Sequence, residues 1–312
     1  MKALETPLNK QTMYFIGVTT TQSSIMKIFP LWAQLLDFDA ELVGYDMPLN
    51  APVASYRAIV NHIKHDPLAV GALVTTHKIN LLEATHDLFD DLDSNARLCR
   101  EVSAIIKQDG RLLGHAKDPI SVGLAWQAFV PENHWRNSGG HVLCFGAGGA
   151  GIATSVFAAQ LEDDFPQRFT FVDRDLKRLE KARAVHKALR TRVRFDYLYS
   201  DSAAYNDTLL ERLPPGSMVI NATGMGKDRP GSPITNNGLF PEAGLVWEFN
   251  YRGTLTFLQQ ARRQEQRRHL TIENGWVYFL HGWSQVIAEI FQIELTASLF
   301  KQLDSTAEII RA

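Results

Sequence analysis

Cysteine is scarce: two in 312 residues, Cys99 and Cys144, which is too few for a disulfide framework or a zinc ribbon. Both are expected to be reduced and buried. The ten histidines show no H-E-x-x-H or comparable ligand spacing, so no metal is expected. No apolar run approaches the length of a bilayer span, and the opening stretch "MKALETPLNKQTMYFIGV" has no uninterrupted apolar segment ending in small residues. A cytoplasmic chain without a membrane partner is therefore expected. An excess of one charge is missing too: 32 Lys and Arg stand against 34 Asp and Glu, a net charge of −2, which argues against a general footprint for nucleic acid. The arginine cluster "ARRQEQRRHL", Ala261 to Leu270, reads as a solvated helix face or an interface at that spacing. Internal repeats and low-complexity stretches are also absent.

What the chain does have is alternation. With 45% apolar and 21% charged residues it can bury sizeable cores. From Tyr14 to Trp126 the strand-like "MYFIGV", "ELVGYDM" and "VGALVTT" alternate with the helix-like "SIMKIFPLWAQLL", "YRAIVNHIK" and "INLLEATHDLFDDL". This is the pattern of an α/β unit with a mostly parallel sheet. The polar, turn-rich "VPENHWRNSGG" follows, and a boundary is expected near Pro131. A second alternation begins at "HVLCF" and continues through "RFTFVD", "VRFDYL", "MVINATG" and "LVWEFNY". These short β-branched and aromatic strands suit a buried, doubly wound parallel sheet of the Rossmann type. The expected division is 1–130 for a substrate-binding α/β domain, 131–272 for a dinucleotide-binding domain, and 273–312 for C-terminal helices packing back toward the first. The tail from Asn274 to Arg311 reads as helical throughout, and "VYFLHGWSQVIAEIF" within it is apolar nearly all round.

The strongest motif is "HVLCFGAGGAGIATSVFAAQ", a strand, a glycine turn and a helix in succession, with Gly146, Gly148 and Gly151 at G-x-G-x-x-G spacing. Gly146 permits the tight turn, Gly148 lets backbone approach a pyrophosphate, and Gly151 lets helix and strand pack closely. The helix N-terminus then offers amide donors, so Gly146, Ala147, Gly148, Gly149, Ala150 and Gly151 are the expected cofactor loop. Asp173 ends the next strand, where a carboxylate meets the adenosine ribose diol and repels a 2′-phosphate, which favours NAD over NADP. Arg174 beside it is the residue type that would hold that phosphate instead. In "VINATGMGK", residues Asn221, Ala222, Thr223 and Gly224 form a second strand-to-turn edge, where the nicotinamide half would pass.

With these pieces in order, the chain resembles the shikimate/quinate dehydrogenase family over nearly its full length. The resemblance rests on "TTTQSSIM", "VTTHK", "GHAKD", "GAGGAG", "INATG", "YRGTLT" and "ENGWVYFL", in that order. It implies a two-domain enzyme that holds a small hydroxylated cyclic carboxylate on the first domain and a nicotinamide cofactor on the second, with hydride passing across the cleft. The family's lysine and aspartate fall on Lys78 and Asp118. Lysine serves as a base only if burial lowers its pKa, and a neighbouring carboxylate opposes that; in the carbonyl-reducing direction Lys78 is the more natural acid. Apart from the resemblance, Lys78 also fits a solvated helix start, and Asp118 before Pro119 fits a helix cap.

The resemblance further implies substrate contacts from Ser23, Ser24, Thr75, Ser103 and Tyr251, and cofactor contacts from Gly275 and Tyr278; the two tyrosines equally fit plain core packing, and Gln285, one helical turn beyond Gly282, is a further substrate-contact candidate by its spacing. This chain departs from the family where the substrate is read. "VTTHK" lacks a proline and is one residue short, an asparagine is replaced by Ser103, and "N-T-D" becomes Ala116-Lys117-Asp118. One serine of the carboxylate clamp falls on Gln22, a glutamine on the last helix falls on Gly282, and the proline after Tyr251 becomes Gly253. Each lost amide or hydroxyl changes discrimination, so the same reaction on a different ring hydroxy acid is expected. His115 is a weaker candidate. Two rival readings stay open: a non-catalytic dinucleotide sensor with the same fold, and a dehydrogenase of the same architecture with an unrelated substrate. A monomer or homodimer with a small-molecule substrate is expected.

Overall fold

Continuous apolar runs become the central strands of two sheets, because a strand covered on both faces has no use for alternation. The computed structural model describes residues 7–227 and 229–311, so Met1 to Thr6 of the opening stretch lie outside the description. The chain divides into two compact units, one running to Lys117 and resuming at Gly282, the other spanning Asp118–His281.

In the first unit the strands are β1 (Gln11–Gly17), β2 (Ala40–Asp46), β3 (Ala69–Val74), β4 (Asp91–Leu92), β5 (Ala104–Gln108) and β6 (Arg111–His115), in the order β2-β1-β3-β5-β6-β4. Helices α1 (Ile25–Leu35), α2 (Val53–His65), α3 (Lys78–Thr85) and α4 (Ser94–Cys99) connect them. Only β5 runs antiparallel to its neighbours, so the sheet is mostly parallel. This topology gathers the carboxyl ends of β1, β3 and β6 and the amino end of β5 at one edge. The β5–β6 hairpin turns on Asp109 and Gly110, both at positive φ, as a two-residue turn requires. Tyr14, Ile16, Tyr56, Ile59, Val60, Ile63 and Val74 are buried together beneath α2, and each such aliphatic side chain contributes roughly 1.5–3 kcal/mol.

The second unit contains β7 (Val142–Phe145), β8 (Arg168–Asp173), β9 (Arg194–Tyr199), β10 (Met218–Asn221), β11 (Leu245–Glu248) and β12 (Thr271–Glu273), all paired in parallel. Their order is β12-β11-β10-β7-β8-β9, the 3-2-1-4-5-6 order of the doubly wound dinucleotide fold. Its helices are α5 (Asp118–Phe129), α6 (His134–Ser138), α7 (Gly149–Gln160), α8 (Leu176–Lys187), α9 (Ala203–Leu210), α10 (Thr256–Arg262) and α11 (Glu265–Arg268). The division falls before α5 rather than at Pro131, because α5 packs with this unit. The Trp126 ring meets Trp135 at 5.4 Å and Phe157 at 5.7 Å, centroid to centroid.

Two further helices, α12 (Trp276–Ile290) and α13 (Ala297–Arg311), complete the chain. The tail is not helical throughout. It breaks over residues 291–296, where Gln292 adopts φ +54° and the Ile293 N–H closes back on Ala288 O at 2.7 Å. Within the first unit Trp32 Nε1 donates to Leu303 O at 2.9 Å, and Phe38 stacks on Phe291 at 3.9 Å. Cys99 and Cys144 are both buried. Among the described residues no helix is long and apolar enough to cross a membrane.

Candidate functional site

The switch point of the second sheet lies between β7 and β10, where the chain leaves in opposite directions. Gly146 follows β7 at φ +102°, and a Cβ there would lie 2.6 Å from Ala222 O, in the turn after β10. The two turns therefore touch through bare backbone. Gly151 sits so close to the turn that its Cβ would lie 2.3 Å from Gly146 O. Gly148 differs: it caps α7 without a side-chain bond, and a Cβ there would meet nothing within 4 Å. Open space over the N-terminus of a twelve-residue helix, with uncapped N–H groups from Gly149, Ala150 and Gly151, fits a pyrophosphate.

Asp173 ends β8 as expected, but its side chain is turned inward. One carboxylate oxygen accepts the Ala147 N–H at 2.8 Å and the other the Asp175 N–H at 2.9 Å, and the residue is only 8% exposed. It clamps the glycine loop, while Arg174 is exposed. With both oxygens engaged in this way, Asp173 gives no geometric ground for preferring NAD over NADP.

Asn221 is fully buried and its amide is committed. Its Nδ2 donates to Glu248 Oε2 at 2.7 Å, and its Oδ1 accepts from Thr223 Oγ1 at 2.7 Å. It shapes the turn that Ala222, Thr223 and Gly224 form, with Gly224 at φ +74°. Glu248 was not singled out from the sequence, although a carboxylate inside the apolar run "LVWEF" is a readable signal. Burial pushes its pKa up to about 7, against the pull of the Asn250 N–H and the Asn221 and Asn250 amides.

Gly275 lies where its Cβ would come within 2.0 Å of Phe249 O, so the start of α12 presses on the end of β11. Tyr278, in the first turn of α12, sets its ring edge-on to Phe249 at 5.0 Å and donates its hydroxyl to Asp118 Oδ2 at 3.2 Å. Asp118 opens α5 and is 7% exposed. That tyrosine–aspartate bond joins residues 160 positions apart and has no sequence signature. The Tyr251 ring packs against Phe279 at 4.3 Å and Trp276 at 5.7 Å.

In the first unit, Ser23 and Ser24 enter α1 after β1, Thr75 and Lys78 follow β3, and Ser103 precedes β5, all at the shared sheet edge. Ser23, Ser24, Thr75 and Lys78 are half-buried. Lys78 opens α3, and its carbonyl accepts the Val102 N–H at 3.2 Å. Ahead of it Thr76 takes φ +51°, which is how a turn lacking one residue reaches the helix. His77 is buried beneath, bonded to Tyr56 OH at 3.1 Å and to Met47 O at 3.2 Å, and burial lowers its pKa. The Ser103 hydroxyl accepts the Lys117 N–H at 2.7 Å. His115 and Lys117 both bind the Glu289 carboxylate on α12, which is half-buried, as is Gln285 one turn earlier. Burial raises the Glu289 pKa, but these two partners outweigh it and hold the carboxyl below its usual range.

No family model matches the chain. It is 32% identical over 178 residues to a shikimate dehydrogenase (NADP(+)) of Streptococcus pneumoniae strain CGSP14, covering 56% of this chain and 58% of that one. It is 28% identical over 215 residues to the Symbiobacterium thermophilum shikimate dehydrogenase (NADP(+)), covering 68% of each. The chain is thus similar in sequence to shikimate dehydrogenases. The match spans somewhat over half the length of the pneumococcal relative. Solved structures share its fold. A quinate dehydrogenase from Corynebacterium glutamicum in complex with NAD superposes with TM-score 0.72 at 15% identity, covering 95% of this chain and 99% of that one. A 5-ketofructose reductase of Gluconobacter sp. strain CHM43 does so with TM-score 0.71 at 19% identity, covering 97% and 99%.

Proposed function

We propose that the protein is an NAD(P)-dependent oxidoreductase that interconverts a hydroxyl and a carbonyl on a small cyclic hydroxy acid of the shikimate or quinate kind. The observation that carries the reading is the meeting of the glycine loop with the Ala222 turn at the switch point of a 3-2-1-4-5-6 sheet, beneath an uncapped helix N-terminus. The relatives, named as shikimate dehydrogenases, support the reaction type. A bound nicotinamide would supply the hydride acceptor or donor. Asp173 holds the glycine loop, and Gly146, Gly148 and Gly151 make room for the phosphates. Exposed Arg174 suits a 2′-phosphate as well as a bare ribose, so the proposal covers both cofactors.

Alcohol oxidation also moves a proton at oxygen, which needs a titratable group within hydrogen-bond reach of it. In the proposed mechanism Lys78 Nζ gives that proton in the carbonyl-reducing direction and accepts it in the other. Asp118, oriented by Tyr278, accepts a hydrogen bond from the substrate hydroxyl. A changed substrate is favoured by Gly282, where a Cβ would meet nothing within 4 Å, and by the Ser103 hydroxyl already serving Lys117.

The test is to incubate the purified protein with NAD or NADP and a panel containing quinate, shikimate and other ring hydroxy acids, following reduced nicotinamide by absorbance. Turnover should fall by about a thousandfold or more in Lys78→Ala, the scale set by losing a general acid–base, with cofactor binding unchanged. Cofactor binding without turnover anywhere on the panel would favour a dinucleotide sensor and overturn the reading.

A further inference from the structure

We propose that Glu248 is a positioning residue for the dinucleotide, and that its ionised carboxylate fixes the Ala222–Gly226 turn through the amides of Asn221 and Asn250. The inference rests on the dinucleotide reading above and goes beyond it by assigning a role to a residue outside the glycine loop.

Glu248 is fully buried at the carboxyl end of β11, in register with Asn221 on β10. Its Oε1 accepts the Asn250 N–H at 2.8 Å and Asn250 Nδ2 at 2.6 Å, and its Oε2 accepts Asn221 Nδ2 at 2.7 Å. Both amides also donate to Met225 O, Asn221 at 3.3 Å and Asn250 at 3.1 Å. On its other side Asn221 Oδ1 accepts from the Thr223 N–H and hydroxyl, and Thr223 Oγ1 accepts the Met225 N–H at 3.1 Å. A single carboxylate thus sets the orientation of two amides, and those amides set the turn. The turn in turn abuts Gly146, so its position is passed to the loop that holds the phosphates.

Only the charged form suits this arrangement. Three N–H donors converge on the carboxylate, so a carboxyl proton would displace one of them. β10 presents neutral Asn221 to it. Among the charged groups on the packed elements, Arg262 on α10 is exposed, and Glu273 on β12 accepts the Asn274 N–H. The flanking turns carry Lys227 and Arg252. The shift of Glu248 comes from burial opposed by its N–H partners and leaves it titrating at about 7. Ordinary changes of pH therefore reach it.

The experiment measures NADH and NADPH binding to the full chain by fluorescence between pH 6 and 8, without substrate, with the melting temperature recorded at each pH. The wild type should bind the cofactor about five- to tenfold more tightly as pH rises through 7, the size expected from coupling one proton to binding. Glu248→Gln should lose that step and bind at the weak, low-pH level throughout, whereas Glu248→Asp should keep a step. A purely structural role would instead lower the melting temperature and weaken binding equally at every pH. An undiminished step in Glu248→Gln overturns the inference. Should Glu248→Gln not fold, Asn250→Ala decides: with one donor gone the midpoint should move up, and an unmoved midpoint overturns the inference. Absence of binding by the wild type at every pH overturns the dinucleotide reading itself, and this inference with it.

Discussion

Thr76 stands two residues before Lys78 at φ +51°, a region that costs a β-branched residue about 1–2 kcal/mol. The side chain is exposed, so no packing compensates for it locally. Thr76→Asn, which tolerates the left-handed region, should raise stability by about 1 kcal/mol in urea unfolding. If Thr76 strain also places Lys78, the same variant should lower kcat while leaving the cofactor Kd alone; unchanged kcat would confine the strain to folding. Tyr278 carries a second prediction at this scale. Its hydroxyl bonds Asp118, and a hydrogen bond to a charged group contributes roughly 1.5–3 kcal/mol, so Tyr278→Phe should reduce kcat/KM about tenfold or more. A Tyr278→Phe enzyme with normal kcat/KM and weakened cofactor binding would instead return the residue to the nicotinamide side.

The element that joins β7 to α7 separates glycines of the fold from glycines of the ligand. Gly146→Ala would add a Cβ 2.6 Å from Ala222 O at φ +102°, and should cost roughly 2 kcal/mol or more of stability. Gly148→Ala meets nothing within 4 Å at an ordinary extended φ, so its melting temperature should stay near that of the wild type while dinucleotide affinity falls. Equal loss of stability in both variants would refute the distinction. This strand–turn–helix element was legible in the sequence because all its signals are local: a change of hydrophobic period and three glycines at fixed spacing. The Asp109–Gly110 turn between β5 and β6 is a local signal of the same kind, an Asp-Gly pair between two short apolar runs. The break over residues 291–296 lacks glycine and proline, so nothing in the local pattern announced it. The side chain of Asp173 could be placed at a strand end but not aimed, and the Asn221–Glu248 pair depends on the register of two parallel strands 27 residues apart. Pattern along the chain specifies elements; direction and register across a sheet come from packing.

Acid stability is a property of the whole molecule, because groups on many elements titrate together. Burial lowers the pKa of His186 and of His281 to about 4, and also lowers those of His77 and His141. His186 sits among Phe171 and Phe195 rings with its nitrogens on Ser155 and Tyr197. Below their unfolded pKa near 6.5 these histidines take up protons only in the unfolded chain, so their contribution is complete above about 6.5 and is lost as pH falls. Glu248 acts in the opposite sense. Its folded pKa of about 7 lies above the ordinary value of 4.5, so between those values the folded state holds a proton that the unfolded state has released. In the window from 4.5 to 6.5, His186 and His281 outnumber Glu248 two to one. The net is one proton bound on unfolding, or roughly 1.4 kcal/mol lost per pH unit, before His77 and His141 add to it. Urea unfolding followed by tryptophan fluorescence should therefore show stability falling steadily from pH 6.5 to 4.5. In Glu248→Gln the opposing proton is gone, so the fall should be steeper than in the wild type. A flat or rising stability toward acid would mean that these histidines are reached by water in the folded chain.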